Sequence, residues 1–172
     1  MRDFIKRLLG LHNVLFCDLD KTLIQTKSGN EKPIDTTDWV MRWNVIYAID
    51  QYKPKYIYIV TNQKGIGRGE IKREDFKEKL DAICALIRDN VDGARVEARV
   101  CTSIHDDNPY RKPNTGMIDA IRKKHPFHNW QALMIGDASG KAGDFSDSDR
   151  KTAENAGIRY MDVEEFVERY KP

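Results

Sequence analysis

Asp18 and Asp20 are the residues of this sequence best placed to do chemistry. They stand in Asp18-Leu19-Asp20-Lys21-Thr22-Leu23, directly after the apolar run Val14-Leu15-Phe16-Cys17. That run reads as a buried parallel strand. Side chains alternate with period two in extended chain, so both carboxylates can point to one side. Two anions held close together cost free energy unless something cationic sits between or beside them. A divalent metal answers that need, and Mg²⁺ prefers hard oxygen ligands. In an open α/β sheet, ligands bind outside the carboxyl ends of the strands, which is where this pair falls. The plainer alternative is that both are turn residues after a strand, a setting in which Asp is common.

The elements that must position them follow from periodicity. Residues 1–11 read as a short helix with Phe4, Ile5, Leu8 and Leu9 on one side. After the strand Val14–Cys17, Ser28-Gly29-Asn30 and Pro33 mark a loop from Ile24 to Asp35. A helix is expected next, capped from Asp35 to Asp38, carrying Trp39, Val40, Trp43, Ile46 and Tyr47, and ended by Lys53-Pro54. The helical spacing of Trp39 and Trp43 assigns them to the core. Tyr56–Val60 is a second strand that runs into Thr61-Asn62-Gln63-Lys64-Gly65-Ile66-Gly67-Arg68-Gly69. The glycines there mean backbone freedom or close approach by a ligand.

Phe76, Leu80, Ile83, Cys84 and Ile87 form the apolar stripe of a strong helix, with charges on its other face. Ala94–Cys101 alternates as a half-buried strand, and Lys112 lies in the loop behind it. Met117, Ile118 and Ile121 mark a further helix, and Ala132–Ile135 a further strand closed by Gly136-Asp137. A helix from Asp149 to Ala156 stops at Gly157. A last strand, Ile158–Met161, precedes a helix with a capping-box pattern at Asp162 and Glu165. Strands alternating with helices predict an α/β fold, a doubly wound parallel sheet with helices on both faces. Asp18 and Asp20, Thr61, Lys112 and Asp137 then all fall at or behind strand ends. That sorting argues against the turn-only alternative.

Composition narrows the class. The 172 residues suit a single domain spanning 1–172, with 40% apolar and 33% charged residues. The net charge of +2 sets up no global field for nucleic acid. Three scattered cysteines without a C-x-x-C pattern fit a reducing compartment. No apolar run reaches membrane-spanning length, and charges interrupt any signal-peptide core near Met1. A cytoplasmic protein without a membrane partner is expected. Cys101 and His105 do not complete a zinc site.

Taken together, Asp18-Leu19-Asp20-Lys21-Thr22, Thr61-Asn62, Lys112, and Gly136-Asp137 with Asp149 resemble the motifs of the haloacid dehalogenase superfamily of aspartate-nucleophile phosphatases. Three stretches are similar to the phosphatase half of polynucleotide kinase 3′-phosphatases: Thr61 to Gly69, Tyr110 to Met117, and Gly136 to Arg150 with its Asp144-Phe145-Ser146-x-x-Asp149-Arg150 arrangement. The resemblance implies a Rossmann-like, haloacid dehalogenase-like fold. It implies Asp18 as nucleophile, forming an aspartyl-phosphate, and Asp20 as general acid and then base. It implies Mg²⁺ on Asp18, the backbone carbonyl of Asp20, and Asp137. Thr22, Thr61, Asn62 and Arg68 would bind substrate, and Lys112 would balance charge at the reacting centre. Asp149 would orient metal-bound water or Lys112, with Asp144 and Asp147 as rivals.

Neither the segment between Thr22 and Thr61 nor that between Thr61 and Lys112 leaves room for a sizeable cap domain. An open site admits a polymer end and equally a small metabolite; the resemblance implies a 3′-phosphorylated nucleic-acid end as the substrate, with a separate kinase or ligase as a partner. Lys64, Arg68, Lys72, Arg73 and Arg111 could contact strand phosphates, or form a solvated rim. Gly136 to Ala142 is one residue short of a P-loop and has Ala142 where a Ser or Thr should stand, so phosphatase activity without kinase activity is expected. The alternatives are a small-molecule phosphatase acting on histidinol phosphate, heptose bisphosphate or a nucleotide, and a non-catalytic binding module.

Overall fold

β1 (Val14–Cys17) is the central strand of a five-stranded sheet. A computed structural model, which describes residues 13–171, places it between β4 (Tyr56–Asn62) and β6 (Ala132–Gly136). The order is β5-β4-β1-β6-β7, with β5 at Arg95–Cys101 and β7 at Arg159–Asp162. Every pairing in this sheet is parallel. The helix expected over residues 1–11 lies outside the described residues.

The period-two alternation of β1 divides the core. Leu15 and Cys17 pack toward α1 (Trp43–Tyr52), α3 (Arg73–Asn90) and α6 (Val163–Tyr170), through residues such as Ile49, Ile83 and Phe166. Val14 and Phe16 face the other way, toward α4 (Gly116–Lys124) and α5 (Ser148–Asn155), through Met117, Ile121 and Ala153. All four residues of β1 are buried, as a strand covered on both faces requires. The expected doubly wound architecture is therefore the observed one. Between β4 and α3 lies only the single-turn helix α2 (Lys64–Gly67). Among the described residues there is no sizeable cap domain.

The segment from 24 to 42 departs from expectation. Val40–Met41 is not helical but forms strand β3, paired antiparallel with β2 (Ile24–Gln25). Asp38 does not cap a helix. Its carboxylate accepts from Ser28 N at 2.7 Å, Ser28 Oγ at 2.7 Å and Ile34 N at 2.9 Å, and so closes the loop between the two strands. The helix starts only after Arg42, whose guanidinium donates to Lys21 O and to Glu164, both at 2.6 Å. This start turns Val45, Ile46, Ala48 and Ile49 inward. Trp43, expected in the core, stands 40% exposed, with its ring 6.3 Å from that of Tyr47, which is 53% exposed. Local pairing and side-chain capture of the loop override a helical spacing that is consistent with either start.

Candidate active site

Parallel register brings the strand ends to one edge. Cys17 pairs with Ile59 on one side and Ile135 on the other, so the residues that follow β1, β4 and β6 meet. Asp18 continues the ladder by donating its N–H to Ile135 O at 3.1 Å. The chain then turns sharply: Leu23 N and Ile24 N both donate to Leu19 O, and Lys21 has φ 61°. Leu19 is buried beneath this turn, while Asp18 and Asp20 both line an open cleft of about 1260 Å³.

The two aspartates have different partners. Lys112 Nζ stands 2.6 Å from Asp18 Oδ1 and 2.7 Å from Asp149 Oδ1. Lys112 is buried, and Asp149 is only 1% exposed. Ligand oxygens of Asp18, Asp137 and Asp149 all lie within 4.8 Å of one another. Burial pushes Asp18 up to about 8, against the pull of Lys112 and with the help of Asp149. Burial and the nearby Asp149 also raise Asp137. Burial opposes the charge on Lys112, but Asp18 and Asp149 outweigh it and raise its pKa. One ammonium cannot balance three carboxylates. An all-oxygen set with excess negative charge, half-open to a cleft, has the donor chemistry of a Mg²⁺ site.

Thr22 lies beneath this cluster. Its Oγ1 accepts from Asp137 N at 3.1 Å and is 3.3 Å from Asp18 Oδ2 and 3.4 Å from Asp137 Oδ1. It is fully buried, so it orders the carboxylates and does not reach the cleft. The geometry also separates the three candidates for the further acidic residue. Asp149 meets Lys112 and accepts from Ala138 N at 3.1 Å. Asp144 is occupied by Ser139 N and Lys141 N, and Asp147 by Lys151.

A fold of this kind and a cleft built from Asp18, Lys112, Asp137 and Asp149 can be compared with known proteins. The family model for polynucleotide kinase 3 phosphatase matches residues 13–167. The chain belongs to the polynucleotide kinase 3 phosphatase family. It is a phosphatase-family protein of the haloacid dehalogenase type. It is 31% identical over 159 residues to an uncharacterized 20.8 kDa protein of Autographa californica nuclear polyhedrosis virus, covering 88% of this chain and 83% of that one. It is 32% identical over 156 residues to the bifunctional polynucleotide phosphatase/kinase of Schizosaccharomyces pombe. That match covers 87% of this chain but 36% of the yeast protein, so the chain spans about a third of that relative's length. Among solved structures, the D,D-heptose 1,7-bisphosphate phosphatase of B. bronchiseptica, complexed with magnesium and phosphate, shares the fold. Its TM-score is 0.63 at 20% identity, over 91% of this chain and 97% of that one.

Within this member of the polynucleotide kinase 3 phosphatase family, Thr61 and Asn62 line the cleft. Asn62 also bonds the backbone of Lys112 on both sides, through Lys112 O and Lys112 N at 3.0 Å each. Arg68 does not line the cleft; it caps α2 and pairs with Glu70 at 3.8 Å. Lys64 and Arg111 both pair with Asp106, at 2.9 and 3.0 Å. Of the expected basic rim, Lys72 and Arg111 line the cleft, Lys72 with an exposed side chain.

Two residues around Asp20 escaped the sequence reading. Gln63 donates from Nε2 to Asp20 Oδ2 at 2.7 Å, and Lys79 Nζ lies 3.8 Å from Asp20 Oδ1. Lys79 sits three residues after Phe76 and four before Ile83, on the apolar stripe of α3. That inward register was the signal available in the sequence.

Proposed function

We propose that this protein is a Mg²⁺-dependent phosphomonoesterase that removes the 3′-phosphate from nucleic-acid ends through an aspartyl-phosphate. The observation that carries the chemistry is Asp18 held at 2.6 Å by buried Lys112 at the floor of an open cleft. The family match, and the likeness to the yeast polynucleotide phosphatase/kinase, support the polynucleotide substrate. The absence of a sizeable cap among the described residues leaves the cleft accessible to a polymer end.

Asp18, Asp137 and the backbone carbonyl of Asp20 would hold the metal. When bound, Mg²⁺ neutralises phosphoryl oxygens so that an anion can meet an anion. An Asp18 carboxylate oxygen attacks phosphorus, and that bond forms as the bond to the 3′ oxygen breaks. Asp20 gives its proton to the departing oxygen. A water then attacks the aspartyl-phosphate and loses a proton to Asp20. The bond between phosphorus and Asp18 breaks, inorganic phosphate leaves, and both aspartates return to their starting states. Lys112 balances charge on Asp18 and the phosphoryl group, Asp149 anchors Lys112, and Thr61 and Asn62 border the bound phosphate. Thr22 acts from below by ordering Asp18 and Asp137. A separate ligase would use the 3′-hydroxyl so produced, and a separate kinase would supply the facing 5′-phosphate.

The test is phosphate release in Mg²⁺ and in EDTA. The substrates are a 3′-phosphorylated oligonucleotide, its 5′-phosphorylated counterpart, histidinol phosphate and heptose bisphosphate. Mg²⁺-dependent selectivity for the 3′ end is expected. Preference for a small phosphate ester would overturn the substrate while leaving the catalytic assignments standing.

A further inference from the structure

Asp20 has a problem that Asp18 does not. Its side chain is 48% exposed at the mouth of a wide cleft, where an aspartate would rotate freely. A proton donor with an undefined direction is a poor general acid, because proton transfer needs hydrogen-bond reach and alignment with the departing oxygen. Two side chains restrict it, one at each oxygen. Gln63 Nε2 meets Oδ2 at 2.7 Å, and Lys79 Nζ approaches Oδ1 at 3.8 Å.

Both partners are built in at some cost. Gln63 is buried, and its Nε2 also donates to Thr61 Oγ1 at 2.9 Å, which fixes the plane of the amide. Lys79 is 8% exposed, far below what a helix lysine ordinarily shows. Lys77, two residues earlier on α3, is by contrast exposed and pairs with Asp81. A buried ammonium is retained at a net cost unless a charge partner offsets its lost hydration. Among the described residues, the carboxylate paired with Lys79 is that of Asp20, while the ring of Phe76 lies 5.9 Å away.

We infer that Lys79 and Gln63 are positioning residues that aim the Asp20 carboxyl at the departing oxygen, and so set how well the enzyme handles poor leaving groups. This rests on the reading of Asp20 as the acid. An oxygen that leaves readily as an anion needs no proton, whereas a poorly acidic alcohol does. Losing the aim of Asp20 therefore steepens the dependence of rate on leaving-group acidity. A loss of general stability would lower all substrates alike and leave that slope unchanged.

The experiment compares kcat/KM in Mg²⁺ across small phenyl phosphates whose leaving groups run from p-nitrophenol to unsubstituted phenol, which removes any effect of strand binding. The variants are Lys79→Met, Gln63→Ala and Asp20→Asn, with Lys77→Met as an exposed-face control. Lys79→Met and Gln63→Ala are expected to lose about 10- to 100-fold on phenyl phosphate and only about 3-fold on p-nitrophenyl phosphate, in the direction of Asp20→Asn. Gln63→Ala keeps the test open if Lys79→Met does not fold. A wild-type slope in both, beside a steep Asp20→Asn, would sink the positioning role alone. A shallow slope for Asp20→Asn would instead remove the acid assignment on which it stands.

Discussion

Asn62 clasps the backbone of Lys112: its Nδ2 donates to Lys112 O and its Oδ1 accepts from Lys112 N, both at 3.0 Å. The two residues are fifty apart in sequence, and this reciprocal pair ties the end of β4 to the loop that carries the buried lysine. Asn62 thereby fixes where the Lys112 side chain starts, and so where its ammonium arrives between Asp18 and Asp149.

Replacing Asn62 by Leu removes both bonds at nearly constant volume. At about 1 kcal/mol per bond, the expected loss is roughly 10- to 30-fold in kcat with a small drop in melting temperature. Asn62→Asp keeps the acceptor but sets a carboxylate oxygen against Lys112 O and beside the phosphate, so it should fall at least as far as Asn62→Leu. Steady-state kinetics on p-nitrophenyl phosphate would show this. An unchanged kcat in Asn62→Leu would mean that the loop holds Lys112 without the clasp.

The carboxylate cluster sets a pH dependence whose sign can be worked out. Asp18 is raised by burial from about 3.9 in the unfolded chain to about 8 in the folded one. Between those values the folded state binds the extra proton, so stability falls as pH rises. The metal-free protein should therefore lose melting temperature as pH climbs from about 4 toward 8. Mg²⁺ should restore it, because an ion bound only to the folded state stabilises by mass action. Asp18→Asn should flatten the pH response, weaken the Mg²⁺ response and abolish phosphatase activity. Thermal melts with EDTA and with Mg²⁺ at several pH values measure all of this. A melting temperature that rises over this window in EDTA, and equally in Asp18→Asn, would contradict the sign.

Gly136 ends β6 where Asp149 lies against the backbone. A Cβ there would sit 2.2 Å from Asp149 Oδ2 and 2.6 Å from its Cγ. Gly136→Ala must displace Asp149, whose Oδ1 holds Lys112, and a displacement near 1 Å in such a site costs on the order of 10²-fold in rate. Activity should collapse while circular dichroism and the unfolding midpoint change much less. Near-normal kcat in this variant would show that the distance from Asp149 to Lys112 is not critical.

The sequence by itself determined the sheet, its strand ends and the residues that gather there. Strong periodicity made β1, β4 and β6 legible, and polar residues at strand ends marked Asp18, Thr61, Lys112 and Asp137. It could not determine the start of α1. Trp43, Ile46 and Tyr47 fit a helix begun at either Asp38 or Arg42, and pairing of Val40 with Gln25 decided between them. Nor could it separate Asp144, Asp147 and Asp149, since all three are acids near one helix start. The fold chose Asp149 by turning it inward to Lys112 and leaving the others bonded to their own loop and helix. The partners of Asp20 were hidden for the same reason. Gln63 and Lys79 lie on elements more than forty residues away, and only the packing of α3 beside the end of β4 sets their distances to Asp20. Spacing along a chain reports which face a residue takes on its own element; which residues meet across elements depends on how the faces are packed.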